Sequence, residues 1–348
     1  MGLSKLLKSS AQKKQLFSAT VELTPQCNLN CSFCYVCDRH LKTASGNERS
    51  TREWLDLLRE AAALGLFLVS FTGGEVLMRP DFEEIYCKSC EIGLRPTILT
   101  NGTLLDEKKI TYLKKYPPLC VSISLYGMSE QIYEEVTGSG AAFPQVMNAI
   151  DLLMDAHMPV QLKALALRPL LPEYGEMAKY VREMGMPFLL GSYFYPERSG
   201  LSRQGQAWSL TPGEVLSVRR YFTAMGLIKP PRLHWNDLDA GIHCNAGQCS
   251  FAITHQGFMQ PCLMLTEKQS RPFDIGVAAA WQEIQDYVAG IQPCPDCACC
   301  ADRAYCRKCP AKRLGDSGCI DACGEAMRSH ARVSRRLYEE CMEVANED

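Results

Sequence analysis

FSATVELTPQCNLNCSFCYVC, residues 17–37, sets a strand directly before a metal-ligand pattern. FSATVELT (17–24) reads as a β-strand. Four cysteines follow within eleven residues, Cys27, Cys31, Cys34 and Cys37, with three, two and two residues between them. Whatever these sulfurs hold sits where the first strand ends.

Working outward from this stretch, strands and helices alternate. TREWLDLLREAAALG (51–65) has helical spacing of apolar residues, with Thr51 as its expected cap. LFLVSFTGG (66–74) is a strand that ends in glycines, and DFEEIYCKSCEIG (81–93) a helix stopped by Gly93. The strands PTILTNG (96–102), LCVSISLYG (119–127), VQLKALAL (160–167) and PFLLGSYFYP (187–196) are separated by helices over 106–116, 143–156 and 173–185. Six strands alternating with helices predict βαβ units, a parallel sheet and right-handed crossovers. Val, Leu, Ile and Phe fill the strands, as a sheet covered on both faces requires. The expected fold class is α/β, an open or partial barrel. In such sheets ligands gather at the carboxyl ends of the strands.

Composition narrows the function classes. The chain has 348 residues, 47% of them hydrophobic, enough for a sizeable core. A formal net charge of −2 gives no support to nucleic-acid or membrane-surface binding. There is no run of 18 apolar residues. MGLSKLLKSSAQKK is basic, without a signal peptide's hydrophobic region, and Leu6 replaces the Ser or Thr of a myristoylation signal. A cytoplasmic location is the expectation. Cysteine is the outlier, at 19 residues: four at 27–37, eleven between 244 and 323, and Cys87, Cys90, Cys120 and Cys341 elsewhere. An odd, clustered count without an export signal points to metal and not to disulfides.

Tetrahedral zinc takes four ligands, so Cys27, Cys31, Cys34 and Cys37 could form a zinc site. A [4Fe–4S] cube held by three cysteines instead keeps one iron open for substrate or cofactor. On that reading Cys37 is a bystander. Cys87 and Cys90 share a helix face, lack two partners, and read as core or surface thiols.

CNLNCSFCY resembles the cluster loop of radical S-adenosylmethionine (SAM) enzymes, with Phe33 before the last cysteine. FTGGE (71–75) is similar to that family's GGE motif, LTNG (99–102) to a common family turn, and SISLYG (122–127) to its SxSLDG. The resemblance covers about 17–196. It implies a partial (β/α)6 barrel, a catalytic [4Fe–4S] cluster on Cys27, Cys31 and Cys34, and SAM held by Gly73, Gly74, Glu75, Asn101, Ser122 and Ser124. Glu75 is expected to accept from the SAM ammonium. The reduced cluster would cleave SAM to a 5′-deoxyadenosyl radical, which takes hydrogen from an unreactive C–H bond; the protein positions and shields that chemistry. Two departures stand out. Val76 replaces a frequent proline, and Tyr126 stands where Asp is frequent.

The tail, HCNAGQCSFAITHQGFMQPC (243–262) followed by CPDCACCADRAYCRKC (294–309) and CIDAC (319–323), resembles the SPASM extension of these enzymes. That likeness implies one or two auxiliary [4Fe–4S] clusters. Cys244, Cys262 and Cys309, with Cys249 a further candidate, would hold the first. Cys297, Cys300, Cys306 and Cys323 would hold the second. Cys294, Cys299 and Cys319 are spares or substitutes, because the last spacing departs from the usual one. A zinc ribbon uses the same CxxC pairs and is the structural alternative. His243 and His255 are expected at the surface. The expected division is an N-terminal arm (1–16), the barrel (17–196), a connector with a helix (197–240), the cysteine-rich iron–sulfur domain (241–330) and a terminal helix (331–348).

Family members with such tails often modify peptides, for example by thioether or carbon–carbon crosslinks; another branch modifies tetrapyrrole side chains. The resemblance implies a peptide or protein substrate and an electron donor such as flavodoxin or ferredoxin; a built-in precursor-recognition domain is not expected in the residues before the first strand, so that function is either absent or carried by a separate precursor-recognition protein. Tetrapyrrole modification is the alternative. A non-catalytic iron–sulfur electron carrier is the reading from a different class, and it leaves the GGE motif without a purpose.

Overall fold

The computed structural model describes residues 2–36, 48–193, 195, 207–233 and 241–347. Cys37 and the polar part of the connector lie outside the described residues. The six expected strands are present as β1 (Ser18–Thr24), β2 (Leu68–Gly73), β3 (Arg95–Thr100), β4 (Cys120–Ser124), β5 (Val160–Leu165) and β6 (Phe188–Gly191). They pair in chain order and in parallel. The sheet runs on beyond them. β7 (Ser250–Ile253) lies parallel to β1, and β8 (Met259–Gln260) folds back antiparallel on β7. The chain has the α/β partial-barrel fold, and part of the expected cysteine-rich segment belongs to its sheet.

Side-chain alternation divides the sheet into two faces. Val21, Leu23, Val69, Phe71, Ile98, Val121, Ile123 and Leu162 are at most 1% exposed and belong to the main hydrophobic core. The alternate positions, which include Thr20, Glu22, Ser70, Thr72, Ser122, Ser124, Gln161 and Lys163, are therefore on the opposite, inner face and are mostly polar, with Leu68, Leu99 and Leu165 among the exceptions. Apolar residues hold the wall together, and polar ones line the interior.

The helices follow from their periodicity and caps. Thr51–Ala63 buries Trp54, Leu55, Leu57, Leu58 and Ala61. Its cap is Ser50, not Thr51: the Ser50 hydroxyl accepts from Glu53 N and Glu53 reaches back in a capping box. Thr211 and Glu214 repeat this device before Pro212–Ala224. A helix at Glu130–Thr137, absent from the expected set, lies between β4 and the helix Ala142–Asp155. It is short and charged, and Gly138 in the left-handed region ends it. The helix Leu3–Gln12 packs near the far end of the sheet, where the Cys249 thiol approaches the Leu7 carbonyl at 3.8 Å. Among the described residues no helix is long and apolar enough to cross a membrane.

Candidate functional site

The cysteine loop leaves β1 at Thr24 and is tied down by each neighbouring strand end. From β2, Gly74 N donates to Thr24 O at 2.9 Å and Glu75 N to Gln26 O at 2.6 Å. The two glycines permit this approach. A Cβ on Gly73, whose φ is +147°, would meet Thr24 O at 2.2 Å, and one on Gly74 would meet Gln26 O at 2.2 Å.

From β3, the Asn101 amide donates to Asn28 Oδ1 at 3.0 Å and reaches Cys27 Sγ at 3.9 Å. Asn28 donates in turn to Thr103 Oγ1 at 2.8 Å. From β4, Tyr126 sets its ring edge-on to Phe33, with centroids 5.0 Å apart. The additional helix contributes its last carbonyl, Thr137 O, to Asn30 N at 2.8 Å. Cys31 is buried and Cys27 and Cys34 are partly buried, all against the core.

Glu75 is held by the chain itself on both oxygens. Its carboxylate is fully buried. One oxygen accepts Leu77 N at 3.0 Å and Thr100 Oγ1 at 2.7 Å; the other accepts Asn101 N at 2.7 Å. Burial pushes its pKa up, and those three donors together with the Lys163 charge pull it back. Through these bonds the carboxylate braces the end of β2 against the end of β3.

Asn101 and Ser124 are buried at the same ends of β3 and β4, and Ser122 is buried in the middle of β4. Lys163, opposite Ser124 in register, has its pKa lowered by burial and raised by Glu75. Burial also drives the Tyr126 phenol well above its usual range, with Cys31 and Cys34 adding to the effect. Val76, in the frequent proline position, is fully buried and opens a 3-10 turn, Val76–Met78.

His255 corrects its expected surface position. Its side chain is 12% exposed, with Nδ1 3.7 Å from Glu22 Oε2. His243 is exposed, as expected. Cys87 and Cys90 pack on the outside of the sheet, and burial raises the Cys90 thiol to about 11.

The tail sorts its cysteines into two neighbourhoods. Cys262, held up at about 11 by burial, feels Cys309 and Cys244. Cys306 feels Cys300, and Cys323 feels Cys306 and Cys294. Burial also lifts Cys297, to about 12, beside Cys294 and Cys306. Cys294, left over by spacing, is therefore with the second set. It is 3% exposed, and its thiol points at Asp321 O at 3.2 Å. Cys249 is fully buried, and its carbonyl accepts from Phe17 N and Ser18 N at the foot of β1. Cys299 is exposed. Among the described residues no three His, Cys, Asp or Glu side chains converge on a single-ion site.

Residues 21–184 match the model of the radical SAM superfamily. They are a radical SAM domain. This chain is 31% identical to an AdoMet-dependent heme synthase of Methanosarcina barkeri over 166 residues, 47% of this chain and 46% of that protein. It is 30% identical to a PqqA peptide cyclase of Granulibacter bethesdensis over 164 residues, 47% of this chain and 43% of that one. The chain thus spans about half the length of these curated relatives. Its fold is like that of Streptococcus suis SuiB, solved with S-adenosylmethionine, at a TM-score of 0.70 and 15% identity over 93% of this chain and 81% of that one.

A radical SAM domain works with one [4Fe–4S] cluster and SAM. The donor set fits: soft thiol ligands on one loop, at the strand ends where the family model matches. Sequence reading missed the residues that hold this loop, namely Asn28, Asn30, Thr100, Thr103 and Thr137. The two asparagines between the cysteines were the available signal, since short polar side chains there suit backbone and turn hydrogen bonding.

Proposed function

We propose that this radical SAM enzyme modifies a peptide or protein, with Cys27, Cys31 and Cys34 holding the catalytic cluster. The observation that carries the proposal is the CxxxCxxC loop fixed to three neighbouring strand ends through Glu75, Asn101 and Tyr126. When bound, the cluster and SAM supply the one-electron cleavage that starts hydrogen abstraction.

The chain's own part is to hold and shield. The Gly73–Glu75 turn is assigned to the SAM ammonium, with Glu75 Oε2, which accepts one protein hydrogen bond, keeping an acceptor site for it. Asn101 and Ser124 line the rest of that edge, with Ser122 below it in β4. Burial at the mouth excludes water from a reactive intermediate.

Support for a peptide comes from the similarity to a peptide cyclase and from the inner face. Thr20, Thr72, Ser122, Ser124 and Gln161 offer hydrogen-bonding groups suited to a peptide backbone. A tetrapyrrole would favour a broad apolar slot. The similarity to a heme synthase supports that second reading. In the tail, Cys244, Cys262 and Cys309 are assigned to one auxiliary cluster, and Cys297, Cys300, Cys306 and Cys323, with Cys294 close by, to another. An electron donor of the flavodoxin or ferredoxin type, a separate precursor-recognition protein and a cytoplasmic location complete the proposal. The division at residues 17–196 and 241–330 is part of it, with β7 and β8 completing the sheet.

Anaerobic, reduced protein should convert SAM to 5′-deoxyadenosine. In mass spectrometry with short cysteine-containing peptides encoded beside its gene, a peptide product would support the reading. Turnover of a tetrapyrrole and of no peptide would replace it with the second.

A further inference from the structure

β1 carries a bulge at its carboxyl end. Glu22 stands opposite Thr72 and Thr24 opposite Gly73, so Leu23 is an extra residue with no counterpart in β2. A bulge bends its strand and re-aims the chain beyond it. Here the chain beyond is the CxxxCxxC loop. Thr24, the residue after the bulge, takes Gly74 N on its carbonyl. The position of the cysteine loop against the GGE turn therefore depends on this one irregularity.

Arg79 holds it. Its side chain is 4% exposed and stands on the residue that ends the Val76–Met78 turn, which follows GGE. Nη1 donates to Leu23 O at 2.8 Å and Nη2 to Arg49 O at 2.6 Å. Nε and Nη2 donate to the two carboxylate oxygens of Asp81 at 2.7 and 3.0 Å. Glu48 Oε2 lies 3.6 Å from Nη1. The same Glu48 carboxylate accepts from Thr24 Oγ1, which in turn accepts from Gln26 N at 3.1 Å. Asp81 also accepts from Thr51 Oγ1, at the start of the helix Thr51–Ala63.

One guanidinium thus joins three segments. Leu23 and Thr24 precede the cysteines in sequence, Glu48 and Arg49 follow them, and Arg79 and Asp81 belong to the turn after GGE. A planar fork with five donors reaches two carbonyls and a carboxylate in diverging directions, whereas an ammonium is a single point with three. A cation buried this far is costly unless its donors are satisfied, and here carbonyls and carboxylates are aimed at it.

We propose that Arg79 is a positioning residue for SAM cleavage: by holding the Leu23 bulge it sets the separation between the iron–sulfur cluster and the turn that receives the SAM amino group. The inference rests on the assignment of the catalytic cluster to Cys27, Cys31 and Cys34. Arg79 acts through the backbone of Leu23 and the side chain of Thr24, and not by contact with either group. Cleavage needs cluster and SAM held at one separation, and a misplacement of about 1 Å, introduced far from the reacting atoms, slows a reaction by up to about a hundredfold.

The test uses full-length, reconstituted protein under anaerobic conditions. Three quantities are read: iron content, the electron paramagnetic resonance signal of the reduced first cluster with and without SAM, and the kinetics of 5′-deoxyadenosine formation. Arg79→Lys keeps the charge and loses the fork. It should retain iron and a KM for SAM near wild type, lower kcat by about ten- to a hundredfold, and weaken the change that SAM makes in the cluster signal. Asp81→Asn is the milder variant. It should melt near wild type and lower kcat in the same direction by less. Wild-type kcat and cluster signal in both variants, or a fall in kcat only in proportion to lost iron, would overturn the positioning role and leave the cluster assignment standing. The triple Cys→Ala variant is measured alongside. If it keeps a cluster signal that responds to SAM, the cluster assignment and this inference fall together.

Discussion

The Glu75 carboxylate accepts the Asn101 backbone N–H at 2.7 Å and thereby joins the GGE turn of β2 to the LTNG turn of β3. The two turns are thus one mechanical unit. Glu75→Gln keeps the shape and replaces an acceptor with an N–H2 group, which must face at least one of the donors Asn101 N, Leu77 N or Thr100 Oγ1. The expected cost is about 1–3 kcal/mol of stability. Thermal melting should therefore fall along with SAM affinity. Weaker SAM binding at unchanged melting temperature would contradict the bracing role and leave the carboxylate as a ligand alone.

Asn101→Ala removes the amide that grips Asn28 and reaches Cys27. The fold should survive, at a cost of about 1 kcal/mol for a lost buried hydrogen bond. Iron at the first cluster should become labile. Chelator challenge followed by iron analysis should show faster loss from this cluster than in the wild type, with tail iron unaffected.

Tyr126 substitutes for the frequent Asp and places its ring on Phe33. Tyr126→Phe should preserve SAM cleavage, because the ring contact remains. Tyr126→Ala should lose about 0.5–1.5 kcal/mol of aromatic pairing beyond the buried area, and slow cleavage. Equal rates of 5′-deoxyadenosine formation in the two variants would separate Tyr126 from the loop.

Much of this arrangement was legible in the sequence. Long apolar strands alternating with amphipathic helices predicted the parallel sheet, and the spacing of Cys27, Cys31 and Cys34 predicted their place at its carboxyl edge. β7 was not read as a seventh parallel strand because SFAI is only four residues long and adjoins a cysteine-rich hairpin. The inward turn of His255 toward Glu22 and the hydrogen bonds of Glu75 to Thr100 and Asn101 depend on tertiary contacts between segments distant in sequence. Cys294 was left unassigned because spacing alone does not show that the chain returns from 294 to 323.

The Ser50–Glu53 capping box gives a pH signature. Hydrogen bonding from the Ser50 backbone and the Arg49 side chain holds the Glu53 carboxyl down at about 2. Its folded pKa is depressed, so the stability it contributes is present above its usual value of 4.5 and is lost as pH falls through about 2. The pair is partly exposed, and the contribution is on the order of 0.5–1 kcal/mol. Glu53→Gln should melt below the wild type at pH 7, with the difference closing on acidification. A gap independent of pH would remove the carboxylate from the account.

The central claim is that Cys27, Cys31 and Cys34 hold the cluster that cleaves SAM. The direct measurement is 5′-deoxyadenosine formation by anaerobic, reduced wild-type protein and by the triple Cys→Ala variant, with iron counted in both. The account predicts that the variant loses about four irons, one cube's worth, and all SAM cleavage. A triple variant that still forms 5′-deoxyadenosine would contradict it.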